Sequence, residues 1–325
     1  MPRSKVITFL ALATLSAAVF AQTQATVSAR PGTLNYTEGQ ATLGGNSLTS
    51  GSESGKTLAA GESLSTTTGK VEILLTPGIF LRVGPNSTVQ MVTPNLTQTE
   101  VRLEQGRALV EVDEIYAQNR ILIDLPNGQS QLLKKGLYAF DASNSMVSVF
   151  DGKANVYPGS DLQADIKPVE LKGGRRLILN GDGLQPVKFD KDQAKDDLYN
   201  WGSLRSQYLG EANLQLASQY AGASSFYPGW YWAGGMYGYT WLPGNGLWWN
   251  PYGYGFYSPY YLYGGGPIYG GYYGYRGYRG GYRGGAFVGG VRPGTVGGFR
   301  GGVAGGGFRG GSMGGGFRGG GGGRR

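Results

Sequence analysis

The sequence predicts an all-β protein. It reads as a twisted antiparallel or solenoid-like β domain, then one C-terminal helix, an aromatic-rich accessory segment and a disordered Gly/Arg tail. Three observations carry that reading. Short apolar runs separated by Gly, Pro, Asn or Asp recur about every ten residues between 23 and 190, the mark of many short strands. A single stretch of helical apolar periodicity follows them. Glycine makes up 61 of the 325 residues and gathers at the end, where 25 of the last 50 residues are Gly.

Arg3 and Lys5 precede a 15-residue apolar stretch, Val6 to Phe20, and Val19-Phe20-Ala21 meets the small-residue cleavage rule before Gln22. Residues 1–21 therefore read as a signal peptide, short of the ~20 apolar residues that span a bilayer. The remaining chain shows no stretch long and apolar enough to cross. An exported chain without cysteine fits a bacterial periplasmic, secreted or cell-surface protein better than a disulfide-stapled eukaryotic one.

Residues 22–189 are the expected β domain. Val71-Glu72-Ile73-Leu74-Leu75 is followed by Thr76-Pro77-Gly78, and Ile79-Phe80-Leu81-Arg82-Val83 by Gly84-Pro85-Asn86-Ser87. Thr88–Val92, Thr99–Leu103, Ala108–Val112, Arg120–Leu125, Gly136–Asp141 and Met146–Phe150 continue the pattern. Val101-Arg102-Leu103 and Val110-Glu111-Val112 alternate apolar and polar, as a strand with one wet face does. A region of this size buries a core without disulfides.

These runs resemble a known family. Glu38–Leu43 is similar to its opening strand. Gly61-Glu62-Ser63-Leu64-Ser65-Thr66 with Gly69-Lys70-Val71-Glu72-Ile73-Leu74-Leu75 is similar to its central motif. Gly78-Ile79-Phe80-Leu81-Arg82-Val83 with Asn86-Ser87, then Leu103-Glu104-Gln105-Gly106-Arg107-Ala108-Leu109-Val110-Glu111-Val112, and finally Phe150-Asp151-Gly152-Lys153-Ala154-Asn155-Val156, follow in the family's order. This is the FecR domain, named after the iron-citrate sensor regulator, and the resemblance spans about half the chain. It implies an all-β domain in the periplasm. In the sensor regulators an anti-sigma segment and a membrane helix come before the domain. Here a signal-peptide-like stretch does, which points to a binding or scaffold module.

Residues 190–221 read as an amphipathic helix. Asp190 is the expected cap, with Gln193 three residues on. Ala194, Leu198, Trp201, Tyr208, Ala212 and Leu216 form an apolar face, and Arg205 falls on it within reach of a cation–π contact with Trp201. The face suits docking on the β domain or a partner helix.

Residues 222–275 hold 14 Tyr, five Trp and two Phe with no charged side chain. Pro243-Gly244-Asn245-Gly246, Asn250-Pro251-Tyr252-Gly253 and Ser258-Pro259 are turn sequences, so short hairpins are expected. Ring packing is the leading reading of this segment. The functional alternative makes Trp230, Trp232, Trp241, Trp248 and Trp249 candidate stacking surfaces for a sugar or a partner.

Residues 276–325 carry nine Arg and no acid, with five Arg-Gly-Gly triplets and a Gly-Phe-Arg-Gly-Gly repeat. Such a composition buries no core. Arg276, Arg279, Arg283, Arg300, Arg309 and Arg318 are candidate polyanion contacts. The export signal argues against a specific nucleic-acid role. The net charge of +8 belongs to this tail, because residues 22–275 hold 18 Lys+Arg against 21 Asp+Glu.

The absence of His and Cys excludes the Ser-His-Asp and Cys-His machineries and the His- or Cys-ligated zinc sites. Gly51–Thr57 is one residue short of a phosphate loop. Asn180–Gly183 lacks the order of a calcium loop. Glu111, Asp113 and Glu114 are the remaining carboxylates for glycoside chemistry, expected as exposed strand-end charges. The expected function is a non-enzymatic periplasmic or cell-surface binding or scaffold protein whose basic tail holds anionic envelope polymers. The alternatives are an envelope sensor relaying to a transmembrane partner, and a carbohydrate-binding or carbohydrate-active protein. No cofactor or metal is expected. Envelope polyanions, polysaccharide or a protein are the expected partners.

Overall fold

The computed structural model describes residues 29–52, 55–159, 167–180 and 184–269. The signal-like segment, the Arg-Gly tail with its six candidate arginines, and Gly181–Gly183 lie outside the described residues.

Among the described residues, the strands in chain order begin with β1 (Leu34–Glu38), β2 (Ala41–Leu43), β3 (Asn46–Ser47), β4 (Ser63–Thr66), β5 (Lys70–Leu74) and β6 (Ile79–Val83). Next come β7 (Thr88–Pro94), β8 (Gln98–Gln105), β9 (Arg107–Val112), β10 (Arg120–Leu125), β11 (Gly128–Leu132) and β12 (Gly136–Asp141). The β region ends with β13 (Met146–Asp151), β14 (Lys153–Pro158), β15 (Val169–Lys172), β16 (Arg175–Ile178) and β17 (Val187–Lys188). They form an eight-stranded sheet, β1-β5-β6-β9-β12-β13-β16-β17, and a nine-stranded sheet, β15-β14-β11-β10-β8-β7-β4-β2-β3. Neither closes into a barrel. Pairing is antiparallel except between β8 and β10, which run parallel because β9 crosses to the other sheet between them.

The two sheets pack face to face. Val71, Ile73, Ile79, Leu81, Val83, Val110, Val112, Tyr138, Phe140 and Val149 of one meet Leu64, Val89, Met91, Val101, Leu103, Ile121, Ile123 and Val156 of the other in a single core. Alternate residues point inward, as the two-residue strand period requires. Switching sheets between β8 and β9 needs a sharp turn, and Gly106 makes it at φ +76°. A Cβ there would overlap Ser87 Oγ and the Asn86 carbonyl.

The second face of the eight-stranded sheet is also dry. Leu74, Phe80, Leu109, Leu137 and Phe150 point away from the sandwich core and are covered by later parts of the chain. The cover is α1 (Asp197–Tyr220) and the aromatic segment. That segment forms two hairpins, β18 (Gly229–Trp232) with β19 (Tyr239–Leu242) and β20 (Leu247–Trp249) with β21 (Gly255–Tyr257), then the short α2 (Pro259–Tyr263). The result is three layers: sheet, sheet, and a helix-plus-hairpin lid.

The helix starts later than the Asp190–Gln193 capping pattern predicts. Asp190 Oδ1 accepts from the backbone N–H of Asp192 and Gln193, closing a separate turn. The true N-cap is Asp196, which accepts from Tyr199 N at 2.8 Å. The buried face also differs from the predicted one. Leu198, Trp201, Leu209, Ala212 and Ala217 are buried, but so are Gly202, Arg205, Ser206 and Asn213, while Tyr208 is 40% exposed. Gly202 is required there, since a Cβ would lie 2.6 Å from Tyr252 Oη and 3.2 Å from Arg82 Cδ.

Candidate functional site

Where the lid meets the sheet, a ladder of charge is sealed inside apolar walls. Arg82 on β6 stands opposite Glu72 on β5, and Glu111 on β9 is its diagonal neighbour on the same face. All three side chains are fully buried. Arg82 Nε donates to Glu72 Oε2 at 2.9 Å, Nη1 donates to Glu111, and Nη2 donates to Ser206 Oγ at 2.9 Å. Ser206 in turn donates to Glu111. Arg205 Nη2 donates to Glu72 Oε1 at 2.9 Å and to the Tyr237 carbonyl at 2.7 Å. Its guanidinium lies 4.1 Å from the Tyr36 ring centre. The predicted stacking of Arg205 on Trp201 is thus replaced by Tyr36, because Trp201 turns away to donate Nε1 to Glu38 at 2.8 Å.

Asparagines join the lid to this ladder. Asn35 Nδ2 donates to Glu72 and to the Tyr239 carbonyl, each at 2.9 Å, while its Oδ1 accepts from Tyr239 N at 2.6 Å. Asn250 Nδ2 donates to Glu111 Oε1 at 2.6 Å, and its Oδ1 accepts from the N–H groups of Tyr252 and Tyr254. Asn213 on α1 ties β19 to β21 by donating to the Trp241 and Tyr257 carbonyls and accepting from Tyr257 N.

The carboxylates differ in state. Burial pushes Glu72 toward its neutral form, but Arg205 and Arg82 outweigh it and hold the pKa below the usual carboxylate value. Asp113, just past the end of β9, is pushed well up by burial and then by the Glu111 charge beside it. Neither Asp113 oxygen meets a donor, which fits a neutral Asp113 that donates its own proton to Glu111. Glu111 and Asp113 are therefore not the exposed strand-end charges that the alternation predicts. Both are 0% exposed, and Glu114 is 9% exposed. Glu111 is engaged by Arg82, Ser206 and Asn250, so it has no access to a saccharide. Among the described residues, no group of three or more acids is placed to hold a metal.

The candidate tryptophans do not form one platform. Trp241 is 0% exposed and packs at 6.0 Å on Trp248 and 5.8 Å on Phe256, so it has no face for a ligand. Trp230 and Trp232 are half-buried, each in an edge contact at 5.0 Å, with Phe80 and Tyr239 respectively. Trp248 donates Nε1 to the Asn245 carbonyl, and Trp249 tilts against Tyr269. The structure brings together the packing partners of these rings rather than the rings' faces.

A surface groove of about 320 Å³ opens above the ladder, lined by Tyr36, Glu38, Trp201, Arg205, Tyr208 and Tyr237. Leu204 and Met236, 45% and 74% exposed, form its rim. Sequence reasoning missed both groove and ladder. A signal was present: Glu72 and Arg82 are each flanked on both sides by apolar residues within their strands, and a strand dry on both faces forces any such charge to be paired.

Residues 62–155 match the family model described as FecR protein, so this segment carries a FecR domain. The match contains Glu72, Arg82 and Glu111 but ends before α1 and the lid. No curated protein matches the chain. Two crystal structures of a "putative anti-sigma factor" from Parabacteroides distasonis ATCC 8503, at 2.50 and 1.65 Å resolution, are similar in part. They are 14% and 13% identical with TM-scores of 0.34, and each similarity covers 41% of this chain and 62% of the other. The similarity thus spans less than two thirds of those structures. No helix among the described residues is long and apolar enough to cross a membrane.

Proposed function

We propose that the protein is a non-enzymatic envelope sensor that relays to a membrane-spanning protein partner, with sandwich, helix and lid acting together. The FecR match over 62–155 carries this reading. The groove supports it, because exposed apolar side chains clustered at a concavity suit a protein contact. A non-catalytic role is supported by a chain without His or Cys and by carboxylates committed to internal partners. The signal-like residues 1–21 support an extracytoplasmic address. A second reading, in which the tail also holds anionic envelope polymers, is favoured by nine arginines without an acid in residues 276–325.

The chain has no native thiol, so one introduced Cys reports a single place. Leu204→Cys at the groove rim and Glu104→Cys on the opposite sheet are compared by thiol cross-linking in cells of the source organism. A discrete adduct with a membrane-spanning protein at position 204, absent at 104, is expected. No adduct at 204, or equal adducts at both, overturns the relay through this groove.

A further inference from the structure

A second cavity of about 320 Å³ lies on the lid side of the eight-stranded sheet. Ala139, Ser148 and Arg176 form its floor. They stand side by side on β12, β13 and β16, with Ala139 opposite Ser148 and Ser148 opposite Arg176. Gln193, Ala194 and Asp196, from the turn that leads into α1, contribute to its lining.

Arg176 is the unusual member. Its guanidinium stacks 4.6 Å from the Phe189 ring centre, which covers one face and leaves the hydrogen-bonding edge. Its Nε is buried and has no acceptor. The two acids that line the cavity are engaged by Arg107, a third charged residue of the lining. Arg107 pairs with both Asp141 and Asp196. Asp141 also accepts from the backbone and amide of Asn144, and Asp196 caps α1. Although Arg176 as a whole is half-buried, a donor atom sealed from water without an acceptor is costly, and native structures fill such places.

We propose that this cavity binds a small organic carboxylate, anchored by the free edge of Arg176, with Ser148 and Gln193 as further polar contacts. A planar guanidinium edge matches the two oxygens of a carboxylate. The charge balance selects a monoanion over a phosphate dianion. Arg107 and Arg176 against Asp141 and Asp196 leave the lining neutral in sum, with Arg176 the charge that has no ion pair, so a monoanion adds one negative charge and a phosphate dianion two, and the dianion meets the stronger repulsion from the aspartates. The volume suits a single sugar-acid unit. This site is separate from the groove and does not depend on the relay reading.

The test is calorimetric titration of the full chain with glucuronate, glucose and inorganic phosphate, repeated with Arg176→Gln. Saturable glucuronate binding is expected, with glucose and phosphate each at least about tenfold weaker and the variant weakened about tenfold or more. Because Arg176 has no ion pair among the described residues, the variant is also expected to keep the wild-type melting temperature, which separates lost binding from lost folding. Absence of saturable glucuronate binding, equal affinity in Arg176→Gln, or tighter binding of phosphate overturns the proposal.

Discussion

Arg82 shows how much one side chain carries here. Its three nitrogens serve Glu72, Glu111 and Ser206, so removing it strands two buried carboxylates. Breaking a buried pair from one side costs about 3–5 kcal/mol, far more than the pair contributes over an apolar substitute. Arg82→Ala is therefore expected to lower the unfolding free energy by about that amount in urea denaturation. A loss under about 1 kcal/mol, the range of surface pairs, would contradict the ladder. Asp113 has the opposite sense. Its folded pKa is raised, so above the unfolded value of about 3.9 the native state binds more protons and stability falls as pH rises toward the folded pKa. Glu72 is lowered, so its contribution is present above the unfolded value and is lost as pH falls through the folded one. Asp113→Asn keeps a donor facing Glu111 but cannot ionise. It is expected to gain stability relative to wild type as pH rises above about 4, read by urea denaturation at a series of pH values. A gap that stays constant with pH would show that Asp113 is ionised throughout. The sequence offered Asp113 only as an exposed strand-end charge and passed over Glu72, because a strand charge reads as solvent-facing until the second layer is known.

At the scale of elements, strand spacing and turn chemistry were legible, and so was the existence of a helix. The helix start was not. Asp190 and Asp196 are both competent caps, and only the pairing of Asp196 with Arg107 and of Asp197 with Lys70 fixes the second as the entry. Asp196→Ala should therefore cost about 1 kcal/mol, visible as a lower denaturation midpoint. The polar half of the buried helix face was equally hidden. Arg205 falls on the predicted docking face, but Ser206 and Asn213 lie off it by pattern and are buried by partnership. Asn213 satisfies three backbone groups of the lid. Asn213→Ala orphans them at about 1–3 kcal/mol each. Amide exchange in β19 and β21 should then rise by tenfold or more, with β6 and β9 little changed. Equal acceleration in all four strands would mean that the lid and sandwich open only together.

For the whole molecule, the charge split is the most legible property and the layering the least. Removing 276–325 takes nine arginines and turns the formal net charge from +8 to −1. If the tail holds anionic polymers, the truncated chain should lose its co-sedimentation with vesicles containing anionic lipid, and the full chain should lose it as salt rises. Retained binding by the truncated chain would remove the tail from that role. The layering escaped the sequence because a sheet face covered by its own chain and one facing water share the same alternation wherever the cover brings its own polar groups. The family boundary at 155 hides it too, since the acids and arginine of the ladder lie inside the match and Arg205, Ser206 and Asn250 lie outside.

That division has a consequence during synthesis. Residues up to about 190 leave the ribosome before any of the groups that cover Leu74, Phe80 and Arg82. Until α1 and the hairpins arrive, the nascent sandwich presents an oily surface studded with half-neutralised charge, a natural substrate for a holding chaperone. A fragment cut at the end of the β region would be frozen at that moment. The shortest honest unit for expression or interaction work therefore ends near residue 269, well beyond the family's own border.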